Sequence, residues 1–342
     1  MLDSNKQPCG ENKNNDTSNH SKEPQMLSEF DKTTIKMYQS QIKDETLVIN
    51  FDSKLTSLDF VKYLQINKLT LTSCKNIIPK LYSQTLKSLQ IMNCGIQSLK
   101  DFQIENLYTL VIYNISNILE SKELFQEILR FQKLTNLALY QWITDFSPLS
   151  QMTRLTTLRL NNCELRSTEV LRSLDNLVEL HMFDNKNIDI TSLQYLTNLM
   201  VLNLESCNLI SLDAIRPLTK LIYFNISSNL VVYLQPIMDL KQISGLCAIN
   251  NKIIDSESIK QHQYCQYFDL RNQKQPTTEL LKTASTLRSI NTPISFLKLM
   301  LKQYINLKSK KLKITEYLQK YSQSITQIEF LLQQINMIEC CQ

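Results

Sequence analysis

One spacing recurs along most of this 342-residue chain. In its clearest form it runs Leu199-x-x-Leu202-x-Leu204-x-x-Cys207-x-Leu209. First-position residues are Ile66, Leu86, Leu107, Leu134, Leu155, Leu177, Leu199, Leu221 and Ile243, at intervals of 20, 21, 27 and 21 residues and then 22 throughout. Weaker copies at Asp44 (Leu47, Ile49) and Cys265 (Phe268, Leu270) flank them, giving about eleven. A fixed period of this length means stacked supersecondary units. No unit buries its apolar face alone, so neighbours share one continuous core. Positions one, four and six of each copy point the same way, as a short strand requires. The expected architecture is α/β: a solenoid with a curved parallel sheet along one face.

The pattern L-x-x-L-x-L-x-x-[N/C]-x-L resembles the leucine-rich repeat. Stretches such as ITDFSPLSQMTRL (143–155) and LISLDAIRPLTKL (209–221) are similar to the SDS22/internalin-like 22-residue class. The resemblance covers residues 44–273. It implies a binding module rather than an enzyme and, through SDS22, a phosphatase-regulating subunit as one version.

The ninth position holds Cys74, Cys94, Cys163 and Cys207 in some copies and Asn185, Asn229 and Asn251 in others. Asn there bonds the backbone of adjacent turns, and Cys fills the same small slot as a buried hydrophobe rather than a metal or redox group. The second half of each copy returns over the convex side. Pro148 and Pro236 open such returns and suit the first turn of a short helix. The copy from Leu107 inserts ESKELFQEILRF (120–131), an amphipathic helix, and has Ile115 in the ninth place. The copy from Leu134 brings Trp142, the single Trp, to or beside that place.

Outside the array, residues 1–28 are polar and are expected to be disordered. Residues 29–43 carry Ile35, Tyr38 and Ile42 at helical spacing, a candidate N-terminal cap. Residues 274–293 read as a linker with a short helix. Residues 294–338 carry an apolar seam from Leu297 to Ile335 with steps alternating three and four, interrupted by Lys311, which predicts a long coiled-coil-like helix. This segment is the candidate for self-association through 297–335. From Pro276 onward nine Lys or Arg face four acids, the whole of the chain's +5 excess. The run Lys298–Lys320 is expected to be a solvated helix face, with RNA or an anionic membrane surface as the alternative partner. Cys340 and Cys341 lack the C-a-a-X form needed for prenylation.

Composition removes several activities. Three glycines in the whole chain leave no phosphate-cradling loop. Three histidines (His20, His181, His262) form no HExxH pattern, and no CxxC pair or serine elbow occurs. No catalytic residue, cofactor or metal site is therefore expected. The polar start and the absence of a spanning apolar run point to a reduced, cytoplasmic setting with free thiols.

Function falls to the positions the pattern leaves free, namely two, three, five, seven and eight. Tyr113, Tyr140, Arg159, His181, Phe183 and Glu205 gather in adjacent copies on the concave face, and Tyr and Arg are types that interfaces enrich. The face carries Lys68, Lys87, Arg159 and Arg271 against Glu45, Glu179, Asp184, Glu205 and Asp269. One net negative charge does not suit a phosphate backbone. A protein partner is expected there.

Overall fold

The computed structural model describes residues 29–50, 57–74, 80–96, 98–113, 121–140, 143–255, 257–260, 265, 267–270 and 272–274. The expected ninth-place roles of Ile115 and Trp142, the short helix of 274–293 and the heptad helix of 294–338 lie outside them.

Helix α1 (Glu29–Gln39) leads into β1 (Thr46–Asn50). The following strands are β2 (Lys68–Thr72), β3 (Lys80–Ser83), β4 (Ser88–Met92), β5 (Asp101–Ile104), β6 (Thr109–Tyr113) and β7 (Asn136–Tyr140). Then come β8 (Thr157–Leu160), β9 (Glu179–His181), β10 (Val201–Asn203), β11 (Tyr223–Asn225), β12 (Gly245–Cys247) and β13 (Tyr267–Asp269). Among the described residues, eleven of these form one sheet in the order β1-β2-β4-β6-β7-β8-β9-β10-β11-β12-β13. Every pair is parallel and in register with the repeat: Val48, Thr70, Gln90, Val111, Ala138, Arg159, His181, Asn203, Asn225, Cys247 and Asp269 form one continuous row.

The core is the other side of these strands. Leu69, Leu89, Leu110, Leu158, Leu180, Leu202, Phe224 and Leu246 are fully buried position-four side chains, each contributing about 1.5–3 kcal/mol by burial. Tyr38 of α1 is buried and stacks on Phe60 with ring centroids 4.5 Å apart, covering the first copy. Insert helix α2 (Ser121–Ile128) buries Leu124, Phe125 and Ile128. Its Glu127 carboxylate accepts hydrogen bonds from Ser98 Oγ and Leu99 N, both at 2.6 Å, tying the insert to the copy before it.

The returns opened by Pro148 and Pro236 are short helices of the 3-10 type, Ser147–Gln151 and Gln235–Ile237, with the proline in the first turn as expected. In the copies from Ile66 and Leu86 the returns are strands instead, and β3 pairs with β5 as a second, two-stranded parallel sheet. These two copies are 20 and 21 residues long. The copy from Leu134 is also 21 residues long and returns as the 3-10 turn Ser147–Gln151, so length alone does not decide the choice.

The ninth-position ladder is a set of backbone clamps. Asn229 Nδ2 donates to Leu204 O at 2.8 Å and Ile226 O at 2.9 Å, while its Oδ1 accepts from Cys207 N and Leu209 N. Cys207 Sγ donates to Met182 O at 3.2 Å and Glu205 O at 3.4 Å. Gln273 fills the same place in the last copy, donating to Ala248 O and Leu270 O and accepting from Ile253 N.

Position eight is not free, contrary to expectation. Ser73, Asn93, Asn162, Asp184, Ser206, Ser228, Asn250 and Asn272 all have φ between 52° and 60°. The chain turns there in the left-handed region, where small Asn, Asp and Ser are tolerated because their side chains bond locally.

Candidate functional site

Strands β6 to β10 set the concave residues one repeat apart. Position seven projects Tyr113, Tyr140, Asn161, Phe183 and Glu205 in sequence; position five projects Ala138, Arg159, His181 and Asn203. Tyr113 and Tyr140 lie side by side, with ring centroids 5.6 Å apart and planes tilted by 50°. Tyr113 is 41% exposed and Phe183 36%. Between them Asn161 is buried, and its Oδ1 accepts from Phe183 N at 3.1 Å. Asn161 therefore locks the backbone that carries the Phe183 ring.

Arg159 and His181 are brought together by a residue outside the predicted six. Glu179, at position three of its copy, is buried, and its Oε1 receives Arg159 Nη2 at 2.5 Å and His181 Nε2 at 2.7 Å. Thr157 Oγ1 adds a long contact to Oε2 at 3.5 Å. The signal for Glu179 was in the alternation of the strand. Positions three and five share a face, and Arg159 pairs laterally with His181, so a carboxylate two residues before His181 reaches both. Arg159 is 8% exposed and consumed by this bridge, so it anchors the surface instead of presenting a cation.

Burial draws the His181 imidazole below its usual value of 6.5; the bond to Glu179 opposes this, and the Arg159 guanidinium adds to the lowering. A neutral ring whose Nε2 proton faces the carboxylate follows near pH 7. The cluster then carries Arg⁺ and Glu⁻ and no net charge. Burial likewise raises the Tyr140 phenol above 10.0, against Arg159 and a hydrogen bond with Asn161. Glu205 accepts from Asn225 Nδ2 at 3.0 Å and takes no part in an ion pair among the described residues. Its own N–H is held by Asn203 Oδ1 at 3.0 Å.

Chemically the cluster is a brace. No Ser, Thr or Cys is hydrogen-bonded to His181 among the described residues, so no nucleophile stands beside the imidazole. Among the same residues no group of His, Cys, Asp and Glu has a metal-binding arrangement, and no helix is long and apolar enough to cross a membrane.

No protein-family model matches the chain, and no curated protein resembles it significantly in sequence. Solved structures do. An internalin from Listeria monocytogenes superposes with a TM-score of 0.55 at 19% identity, over 74% of this chain and 80% of its own. The chain has the leucine-rich-repeat fold. A second L. monocytogenes internalin, internalin C2, is 19% identical with a TM-score of 0.44 over 63% of this chain and 91% of its own. A leucine-rich-repeat protein of Leptospira interrogans is 19% identical with a TM-score of 0.46 over 69% of each chain. At these identities the likeness is one of fold. In leucine-rich-repeat terms, all six residues singled out lie on the strand face, and Glu179 joins two of them.

Proposed function

We propose that this leucine-rich-repeat array is a non-enzymatic module that takes a protein partner on its concave sheet face, at Tyr113, Tyr140, Phe183 and Glu205, with Arg159 and His181 bracing the floor through Glu179. The observation that carries it is the aromatic row. Tyr113, at the end of β6, and Phe183, just past β9, are large and exposed, and the Phe183 and Glu205 backbones are held by Asn161 and Asn203. Rigid exposed aromatics offer apolar area at small entropic cost, the composition of interface hot spots. Glu205 gives the row a negative edge that suits a basic group on the partner. The buried Cys94 and Cys207 thiols suit a reducing, cytoplasmic setting.

The test is affinity capture with the full chain as bait, quantified by mass spectrometry. A triple variant, Tyr113→Ala with Tyr140→Ala and Phe183→Ala, is expected to lose the specific partner set by more than about ten-fold, given hot-spot contributions of about 2 kcal/mol each. Tyr195→Ala, on the return side beneath Arg172, serves as the control that retains it. Equal recovery by wild type and the triple variant would sink the site.

A further inference from the structure

A second surface lies on the edge of the array, apart from the concave face. The twelfth residues of three successive copies are Ile210, Val232 and Ile254. Ile210 is 71% exposed, Ile254 36%, and Tyr233 beside Val232 is 61% exposed. Backbone bonds hold these turns in contact: Leu230 N to Leu209 O at 2.8 Å, Lys252 N to Val231 O at 3.0 Å, and Ile254 N to Val232 O at 3.2 Å. The result is an apolar ridge about 10 Å long, two strand spacings from end to end. It does not continue backwards, since the copies before it place exposed Arg166 and buried Ile188 at the twelfth position. Exposed aliphatic groups that cluster on one edge call for a cover.

The described residues end at this edge. Gln273 and Lys274 stand at the ninth and tenth places of the last copy, and Lys274 N donates to Asn251 O at 2.9 Å in the copy that carries Ile254. Sixty-eight residues follow, 275–342. The first four members of their apolar seam are Leu297, Met300, Tyr304 and Leu307, ahead of Lys311. As helix they extend over about 15 Å, enough to span the ridge. The 22 residues of 275–296 reach up to about 70 Å when extended. Tethering at this range sets an effective concentration on the order of millimolar.

We propose that the seam Leu297–Leu307 docks in cis on the ridge of Ile210, Val232, Tyr233 and Ile254. The seam supplies the apolar side, and Lys298, Lys302 and Lys308 fall off the seam on the solvent flanks. The occupant is this chain's own segment because the ridge is confined to the copies next to Lys274, to which that segment is tethered.

Hydrogen exchange on the full chain tests this at two protein concentrations ten-fold apart, comparing wild type with an Ile210→Asp, Tyr233→Asp variant. Both substituted side chains are exposed, so the array is expected to keep its circular dichroism and unfolding midpoint. Amides 297–307 are expected to be protected about ten-fold or more in wild type, equally at both concentrations, and to lose that protection in the variant. Met300→Asp with Leu307→Asp is expected to give the same loss from the other side of the contact. Protection unchanged in either variant, or absent from wild type, overturns the proposal. Protection that rises with concentration also overturns it, because the occupant is then a second copy.

Discussion

At the level of single residues, the ninth position separates two chemistries that occupy one slot. Asn229 both donates and accepts, satisfying buried carbonyls of two copies and two amides of the copy before. Cys207 donates alone, and burial pushes its thiol up to about 11, so it is not a thiolate at neutral pH. Asn229→Ala is therefore expected to cost about 2–4 kcal/mol, because it strands several buried polar groups, whereas Cys207→Ala costs about 1 kcal/mol. Urea unfolding midpoints of the two variants measure the contrast. Position eight carries a different constraint. Ser206 sits at φ 57°, so Ser206→Val is expected to lower stability by about 1–3 kcal/mol and Ser206→Gly to be tolerated. A thermal melt in which Val and Gly behave alike would remove the backbone explanation.

At the level of elements, strands β8 and β9 share one buried ionic cluster. His181 titrates below 6.5 when folded, so the unfolded chain binds the proton first as pH falls. Stability at this site is complete above about pH 6.5 and declines as pH drops below it, down to the folded value. The thermal midpoint should fall between pH 7.5 and 5.5 by more in wild type than in His181→Gln. Parallel slopes for the two proteins would contradict the assignment. The other histidines are common to both proteins, so the difference isolates His181. Glu179 is the counterpart: removing it leaves Arg159 buried without its partner, which ties the shape of the concave floor to one carboxylate.

For the whole molecule, stability is shared between neighbours, as in any stacked array. Leu202→Ala empties the fully buried fourth position of a central copy and is expected to cost about 2–5 kcal/mol. Its effect should spread, with faster hydrogen exchange in β9 and β11 as well as β10 and little change at β1. A uniform acceleration over all strands would indicate one all-or-none unit instead. The repeat period determined the parallel sheet, its register and the buried Leu ladder from the sequence alone, because side chains of period two with a fixed offset have one way to bury their apolar set. The row Ala138–Arg159–His181–Asn203 was legible for the same reason. That Glu179 shares the concave face with Arg159 and His181 was legible in the strand alternation, but the bonds it makes to both depend on distances across strands, which spacing along the chain does not contain. Tertiary structure also decided that Arg159 is spent on that carboxylate, that position eight is held by its backbone, and that the copies from Ile66 and Leu86 return as strands. Each of these is a competition between burial, charge pairing and backbone conformation that only the packed neighbours resolve.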